Sequence, residues 1–433
     1  MKFHIISLGC SKNTADSEAI ANAFAANGWS WTESLVTADL LLINTCGFIK
    51  DAKEESLTTI IEALKLKSIN HKQKTAVFGC LVKRYYKQIK NQIPEIDYLF
   101  TFLTPENLSF LCSLNSEDNT PCEPYHELKN RYFTPPHIGI LKIAEGCSNR
   151  CSYCAIPDIR GPFYSRSEKE ILQDAENLGK SGAVELSVVA QDITRYGTDN
   201  GDACRLPQLF KKLSQIENIK WIRPHYLHPK GLSKQLIDDI FSIDKVLPYF
   251  DIPFQHISDR MLRLMNRKTS PAHIRQLVGH IRRNFKKSCI RTTFIVGFPG
   301  ENKEDFQQIL DFIELHPIDR VGAFAYSTEE NTPASRIIPK VSGAIKQERL
   351  DQLMTLQQLI VEERNKKLIN KKVEVIVDEV LDNSALGRTP WDSYEIDNLT
   401  TLKDTSDRNL KPGQIVKARI IDADAYDFTA EIL

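Results

Sequence analysis

Residues 147–154 read CSNRCSYC, which puts Cys147, Cys151 and Cys154 in a C-x3-C-x2-C spacing on one short loop. A 4Fe-4S cube needs thiolates gathered closely on a flexible segment, and three protein ligands leave one iron open to a substrate or cofactor. Structural zinc takes paired C-x2-C knuckles, which this spacing lacks; zinc or plain burial of the thiols is the alternative. Three more cysteines, Cys10, Cys46 and Cys80, each end a short apolar run: FHIISLGC, DLLLINTC and KTAVFGC. If those runs are parallel strands, their carboxyl ends share one edge of the sheet, where open α/β folds place their ligands. The three thiols can then converge although they stand 36 and 34 residues apart. Cys112, Cys122, Cys204 and Cys289 have no such setting and read as small apolar residues.

The elements that must position these residues follow from the pattern. Over residues 1–103 the apolar runs alternate with amphipathic stretches, a helix-like SEAIANAFAANG and a helix from about Ala52 to Lys65, so a βαβαβ unit with a parallel sheet is expected. Residues 104–136, with NSEDNTPCEPYHE and TPPH, read as a linker. Strand candidates IGILKIAE, AVELSVVA, KWIRPHYL, YFDIPFQH, IRTTFIVG and RVGAFAYS then recur with helices between them, one of which opens on a Ser167/Glu170 capping-box spacing. Six βα units make a partial barrel over 137–368, with a trailing helix from about Gly343 to Leu368 and a working face at the strands' carboxyl ends. That rim carries Gln191, Asp192, His225, Gln255, His256 and the turn Gly297-Phe298-Pro299-Gly300-Glu301 as candidate cofactor or substrate contacts. A rim histidine is as often structural, and Pro-Gly also simply turns a strand into a helix. Arg160 and Arg166 follow the cysteine loop and suit a carboxylate or closure of the loop. In 369–433, VEVIVDEVL, SYEID, QIVKARIID and FTAEIL read as strands of a small all-β barrel of the oligonucleotide-binding type.

Composition narrows the class. At 433 residues the chain calls for two or three domains, and 42% apolar with 26% charged residues is ordinary for a globular protein. No apolar run reaches the ~18 residues of a membrane span. Ten cysteines without an export signal point to a reducing, cytoplasmic setting and to metal chemistry rather than disulfides. Lysine plus arginine equals aspartate plus glutamate at 56 each, which removes the overall positive field of a protein that grips nucleic acid through phosphates.

The cysteine loop on a βα barrel resembles the radical S-adenosylmethionine (SAM) superfamily. That resemblance implies an open iron that binds SAM, one-electron cleavage to a 5′-deoxyadenosyl radical, and a role for Tyr153 near the adenine. The three-part layout resembles the methylthiotransferases, with an N-terminal cluster domain, a radical SAM barrel and a C-terminal TRAM domain. SLGCSKNTADSE, INTCGFIKDAKEES, EGCSNRCSYCAIPDIRG, AQDITRYGTD, DIPFQHISDRMLRLMNR and TTFIVGFPGE are similar to the branch that modifies ribosomal protein S-twelve. The tRNA-modifying branch typically has Gln-Met-Asn where this chain has Ser11-Lys12-Asn13.

The resemblance implies two 4Fe-4S clusters, one on Cys147, Cys151 and Cys154 that cleaves SAM, and an auxiliary one on Cys10, Cys46 and Cys80 that binds or donates sulfur. It further implies SAM as both methyl donor and radical source, a β-methylthio-aspartate product on the ribosomal protein, a flavodoxin- or ferredoxin-like electron donor and a sulfur donor. Two cofactors acting on one substrate carbon require the clusters to face each other across a closed pocket. A tRNA adenosine substrate is the alternative within the family, and a non-enzymatic iron–sulfur redox or sensor protein the alternative outside it. Residues 371–433 hold eight lysines and arginines against thirteen aspartates and glutamates. An acidic last domain suits a basic protein partner better than RNA, or is merely a solvated face.

Overall fold

The computed structural model describes residues 1–115, 128–199, 201, 203–403, 405 and 408–433. Cys122 and the rest of residues 116–127, within the 104–136 stretch, lie outside the described residues. The amino-terminal sheet contains β1 (Lys2–Ser7), β2 (Ser30–Trp31), β3 (Leu40–Thr45), β4 (Lys74–Gly79) and β5 (Tyr98–Leu99), all parallel, in the order β2-β1-β3-β4-β5. Its central strand LLLINT is buried on both faces, as a strand between two helix layers must be. Helices α1 (Ser11–Ala26), α2 (Lys50–Lys65) and α3 (Cys80–Gln92) are the crossovers that follow the three cysteine-ended strands. A fourth helix, α4 (Pro105–Ser113), starts on the Thr104 cap and puts Leu111 and Cys112 into the same core as Phe3 and Phe24. Part of the turn-rich stretch is therefore built into the first core. Its far end is tied there as well, because buried Glu18 accepts the amides of Tyr132, Phe133 and Thr134.

Six parallel strands follow the pattern expected of the barrel. The first half-sheet holds β6 (Ile138–Lys142), and after the short hairpin β7 (Ala144–Glu145) and β8 (Tyr164–Ser165) it continues with β9 (Glu185–Val189) and β10 (Trp221–Pro224). The second holds β11 (Tyr249–Asp251), β12 (Cys289–Val296) and β13 (Arg320–Ala325), and a bridge between Ile222 and Val246 joins the halves. The helices are α5 (Ile156–Arg160), α6 (Glu168–Lys180), α7 (Leu206–Leu213), α8 (Lys234–Phe241), α9 (Asp259–Leu264), α10 (Pro271–Asn284) and α11 (Lys303–Leu315). The Ser167/Glu170 capping box opens α6 as its spacing predicts. The barrel is open between β6 and β13. On one side α1 of the first domain packs along β6, and on the other α12 (Gly343–Lys366) packs along β13.

The last segment is a closed barrel of β14 (Lys372–Val380), β15 (Ser384–Arg388), β16 (Thr400–Lys403), β17 (Ile415–Ala423) and β18 (Phe428–Ile432), in the order β14-β15-β16-β18-β17. SYEID is not a strand: Ser393–Asp397 is a turn, and β15 and β16 take the places in the barrel. The reason is electrostatic, since the acidic side chains here are committed to arginines and a tyrosine of the neighbouring domain. Asp392 binds Arg320 at 2.6 Å, and Asp397 accepts the Tyr249 hydroxyl at 2.6 Å and Arg291 Nε at 3.3 Å. Beside them Glu185 is held by Arg223 at 2.6 Å and Arg388 at 2.7 Å, and Asp378 by Arg388 and His137. His137, Glu185, Tyr249, Arg291 and Arg320 all stand at or near the starts of their strands. The small barrel thus plugs the amino-terminal mouth of the large one, away from the carboxyl-terminal rim. The acidity read as a surface for a basic partner is in part this internal joint: Asp378, Asp392 and Asp397 are turned inward.

Candidate functional site

Cys10 precedes α1, Cys46 follows β3 and Cys80 begins α3, so the three thiols stand on neighbouring strand ends as the alternation requires. Two glycines permit their approach. Gly9 has φ +97°, and a Cβ there would lie 2.8 Å from Cys46 Cβ and 2.9 Å from its Sγ. A Cβ on Gly47 would lie 2.7 Å from the Leu81 backbone, at the start of α3. Ser56 fixes the Cys46 loop by accepting its amide at 3.0 Å and donating to its carbonyl at 2.8 Å. Cys80 lies in the electrostatic field of Cys10 and Cys46, and Cys46 in that of Cys10. Burial pushes the Cys80 thiol up to about 11 against the pull of Arg160. Burial acts the same way on Cys10, but there the Lys12 ammonium, the Asn13 and Lys12 amides and Arg160 outweigh it and hold the thiol below its ordinary value.

The second trio lies on the loop after β7. Its backbone is anchored at several points: Cys147 N donates to Gly161 O at 3.1 Å, Ser152 N to Met265 O at 3.0 Å, and Asn266 Nδ2 to Arg150 O at 2.7 Å. Asn149 of the same loop donates to Asp192 at 2.7 Å. Arg267, fully buried, points Nη1 at Cys151 Sγ and at the Tyr153 hydroxyl, each at 3.4 Å. Among the described residues no three His, Cys, Asp or Glu side chains form a single-ion site. A cube seats each thiolate on its own iron, so its ligands stand further apart than the four around one zinc. The donor set of each trio, three thiols and no imidazole, fits an iron–sulfur group.

The two trios meet. Cys80 packs with Ala155 and Ile159, the residues directly after the second trio, and with Phe102. Arg160 crosses the same seam, with Nη2 2.5 Å from Asn13 Oδ1, Nη1 3.0 Å from Asp16 and 3.1 Å from Glu145, and its guanidinium 4.8 Å from the Phe102 ring centre. Lys142 pairs with Asp16 and Glu145 beside it. On the other flank Glu329, after β13, accepts Lys53 at 2.9 Å and Arg84 at 2.7 Å, and Arg84 also donates to Gly47 O at 2.7 Å. The amino-terminal domain is therefore clamped over the carboxyl-terminal rim of the barrel. Arg160 holds the carboxylates of Asp16 and Glu145 across this seam, and carboxylate binding is one of the two roles expected of its place after the loop. Arg166 holds Asp174 and the Lys142 carbonyl instead.

Several rim residues have structural duties. Asp192 accepts from Asn149 and from the Thr194 amide and hydroxyl, and so orients the cysteine loop. His256 is fully buried: its Nδ1 accepts the amides of Ile257 and Ser258 at 2.9 Å each, while its Nε2, 3.4 Å from Glu301, makes no hydrogen bond among the described residues. Gly297, at φ +69°, donates its amide to the Glu301 carboxylate, which Arg349 holds from α12. His225 stands 3.7 Å from Asp251 and 3.5 Å from Ser393, toward the last domain. Gln191 donates to Glu145 at 3.0 Å, yet its Oε1 is buried without a partner, as is that of Gln255. Such orphaned polar atoms on the rim suit a polar cofactor. Tyr153 packs with Met261, Met265, Phe298 and Tyr326, an apolar wall beside the cysteine loop. Sequence reasoning missed Lys12 and Arg267, although both lie in the motif stretches; only their burial singles them out.

Family models match the chain in three places: Uncharacterized protein family UPF0004 over residues 2–101, the Radical SAM superfamily over 141–313 and the TRAM domain over 369–433. The radical SAM match assigns the chain an iron–sulfur cluster and SAM as cofactors. Among solved structures, the radical SAM methyltransferase TsrM from Kitasatospora setae, with cobalamin and a [4Fe-4S] cluster bound, superposes with a TM-score of 0.54 at 13% identity, over 77% of this chain and 76% of that one. That likeness shows the fold. The ribosomal protein uS12 methylthiotransferase RimO of Clostridioides difficile is 41% identical over 100% of this chain and 99% of its own length. Those named RimO of Alkaliphilus oremlandii and Caldicellulosiruptor saccharolyticus are each 40% identical over 100% of this chain and 99% or more of their own. With full-length identity of this order, the chain belongs to the family of radical SAM ribosomal protein uS12 methylthiotransferases.

Proposed function

We propose that this enzyme adds a methylthio group to the β-carbon of an aspartate in ribosomal protein uS12, with Cys147, Cys151 and Cys154 holding the 4Fe-4S cluster that binds SAM and Cys10, Cys46 and Cys80 holding a second one. The observation that supports this reading is the packing of Cys80 against Ala155 and Ile159, a thiol of the first trio beside the segment that follows the second. An iron–sulfur cluster with SAM supplies, when bound, one-electron cleavage of SAM and so removal of hydrogen from a carbon that no side-chain base can deprotonate. The protein's own part is to hold and shield. Asp192 and Asn149 orient the loop, Arg267 donates toward Cys151, and the Arg160 and Glu329 contacts keep the seam closed. Tyr153, Gln191 and Gln255 are the residues best placed to line the SAM site. Electrons come from a small flavodoxin- or ferredoxin-like donor and sulfur from a separate donor.

The domains divide as 1–103, 137–368 and 369–433, with the first extended by α4. Among the described residues no helix is long and apolar enough to cross a membrane. Mass spectrometry of ribosomal proteins and of tRNA nucleosides, from cells with and without the gene, tests the substrate. A methylthio group lost from uS12 alone is expected; loss from tRNA with uS12 unchanged would overturn the reading.

A further inference from the structure

The loop that carries Cys147, Cys151 and Cys154 meets solvent on one side. Within residues 147–154 only Ser148 and Arg150 are exposed. The amino-terminal domain covers the flank at Ala155 and Ile159. Another flank rests on the turn after α9, where Ser152 N donates to Met265 O at 3.0 Å, Ser152 Oγ to Leu264 O at 2.7 Å and Asn266 Nδ2 to Arg150 O at 2.7 Å. That turn carries cations both ways. Arg267 points inward at Cys151, and Lys268, the next residue, is exposed at φ +51°. Lys268 lines a shallow surface cleft with Arg263 of α9, Lys230 from the loop after β10, Thr269 and His273, and among the described residues no carboxylate lines it. His273 ties the two sides together, with Nε2 3.0 Å from the Pro229 carbonyl. Arg263 is matched by Asp259, whereas among the described residues Arg150, Lys230 and Lys268 form no ion pair. The field behind the cleft is positive as well. His228 is buried with its Nδ1 accepting the Lys230 amide at 3.2 Å, and burial together with Arg267, Lys230 and Arg195 holds its imidazole down to about 2. Every charged group acting on it is a cation.

We propose that this cleft is where a small acidic one-electron carrier protein, of the flavodoxin or ferredoxin type, docks to reduce the SAM-cleaving centre. The proposal rests on the reading of Cys147, Cys151 and Cys154 given above. In the step it serves, one electron leaves the reduced carrier and passes to the iron–sulfur group on this loop; the carrier ends one electron more oxidised, and no bond forms or breaks. Electron transfer between proteins weakens steeply with distance, so the carrier needs the side of the loop that solvent reaches. Lys268 stands there, one residue from the side chain that touches Cys151. Electron-transfer encounters are small, below about 1,200 Å², and charge steers them. Arg150, Lys230, Arg263 and Lys268, set against Asp259, give a cationic footprint that fits an acidic face of that size. RNA is the other polyanion that basic patches hold. A chain with as many acids as bases, and a compact footprint set behind the cysteine loop rather than a stripe, favour the carrier.

The test uses the full chain with its clusters loaded, oxidised flavodoxin for binding, and SAM cleavage driven either by reduced flavodoxin or by dithionite, a small reductant that needs no docking site. Calorimetry should show flavodoxin binding that Lys230→Glu with Lys268→Glu weakens by about 10-fold, and that added salt weakens in the wild type. Carrier-driven cleavage should fall by the same order, while dithionite-driven cleavage stays within about twofold of the wild type. Lys230→Arg with Lys268→Arg should bind as the wild type does. So should Lys286→Glu with Lys287→Glu, the same charge change at two exposed lysines before β12, at the opposite mouth of the barrel. Unchanged binding in the Lys230 and Lys268 glutamate variant overturns the proposal, as does equal weakening in the Lys286 and Lys287 variant. A parallel loss of dithionite-driven cleavage also overturns it, because the cations would then support the loop itself. Lost binding to the small ribosomal subunit with flavodoxin binding intact would assign the patch to RNA and sink the proposal. A wild type that binds neither flavodoxin nor a ferredoxin refutes the docking site and leaves the methylthiotransferase reading standing. A loaded enzyme that dithionite does not drive to cleave SAM removes the reading of the cysteine loop, and this proposal with it.

Discussion

Cys151 and Cys46 test the division of labour between the trios. Cys151→Ala should abolish SAM cleavage, whereas Cys46→Ala should keep some cleavage and lose sulfur insertion; 5′-deoxyadenosine and methylthio product, measured in parallel, separate the two. Equal loss of both activities in each folded variant would refute separate roles. Arg267 belongs to the same scale. Its guanidinium is buried against Cys151 and Tyr153 and was invisible as a site residue in the sequence, where it is one arginine in RMLRLMNR. Groups that brace a metal ligand typically carry about 10- to 100-fold in affinity or activity. Arg267→Met is expected to lower iron retention or SAM cleavage by that order, read by iron titration against a chelator; an unchanged titration and rate would assign it to packing.

The elements explain why cysteines far apart in sequence stand together. Each βα unit returns the chain to the same sheet edge, so the positions after β1, β3 and β4 are neighbours by topology, and this was legible from three apolar runs. The approach distance was not. It depends on Gly9, whose left-handed backbone and missing side chain let the Cys46 loop close in. Gly9→Ala should therefore displace Cys46 and cost the auxiliary iron while the Cys147 loop keeps its own, a loss of about half the iron per chain if each trio holds one cube. Retention of full iron in the variant would show that the loop yields without consequence. The turn at Ser393–Asp397 was misread as a strand because alternation of polar and apolar residues does not say whether acids face water or a neighbouring arginine.

At the scale of the molecule, the last domain stands at the mouth opposite the cysteines and is fixed by a buried charge cluster around Glu185. Arg388 reaches Glu185 and Asp378 from this domain with no exposure of its own. Removing one partner of such a set strands the others, so Arg388→Met should destabilise the chain by about 3–5 kcal/mol in denaturant unfolding. The pH dependence follows from the same carboxylate. Burial opposes its ionisation, but Arg223 and Arg388 outweigh burial and bring Glu185 down to about 2. An unfolded glutamate titrates near about 4.3. The folded value is the lower one, so this stabilisation is complete above that pH and is lost as the pH falls toward 2. Thermal melts between pH 5 and 2 should show this slope in the wild type, and a shallower one in Glu185→Gln; identical slopes would remove Glu185 from the account.

The sequence by itself determined the parts: six cysteines in two sets, a parallel βαβαβ unit, six further βα repeats and a small β-barrel, because periodicity and cysteine spacing are local properties of the chain. Motif resemblance carried it to the branch of the family. Tertiary structure alone decided how the parts meet. Asp192, His256 and Gly297, which the rim pattern offered as ligand contacts, also hold backbone or loop, since what a rim side chain touches depends on which distant partner reaches it. The acidic last domain was read as facing outward, yet several of its carboxylates close an internal joint. The CSNRCSYC loop named the chemistry, but the packing of Cys80 against Ala155, just after that loop, arises only when residues more than 70 positions apart are folded against one another.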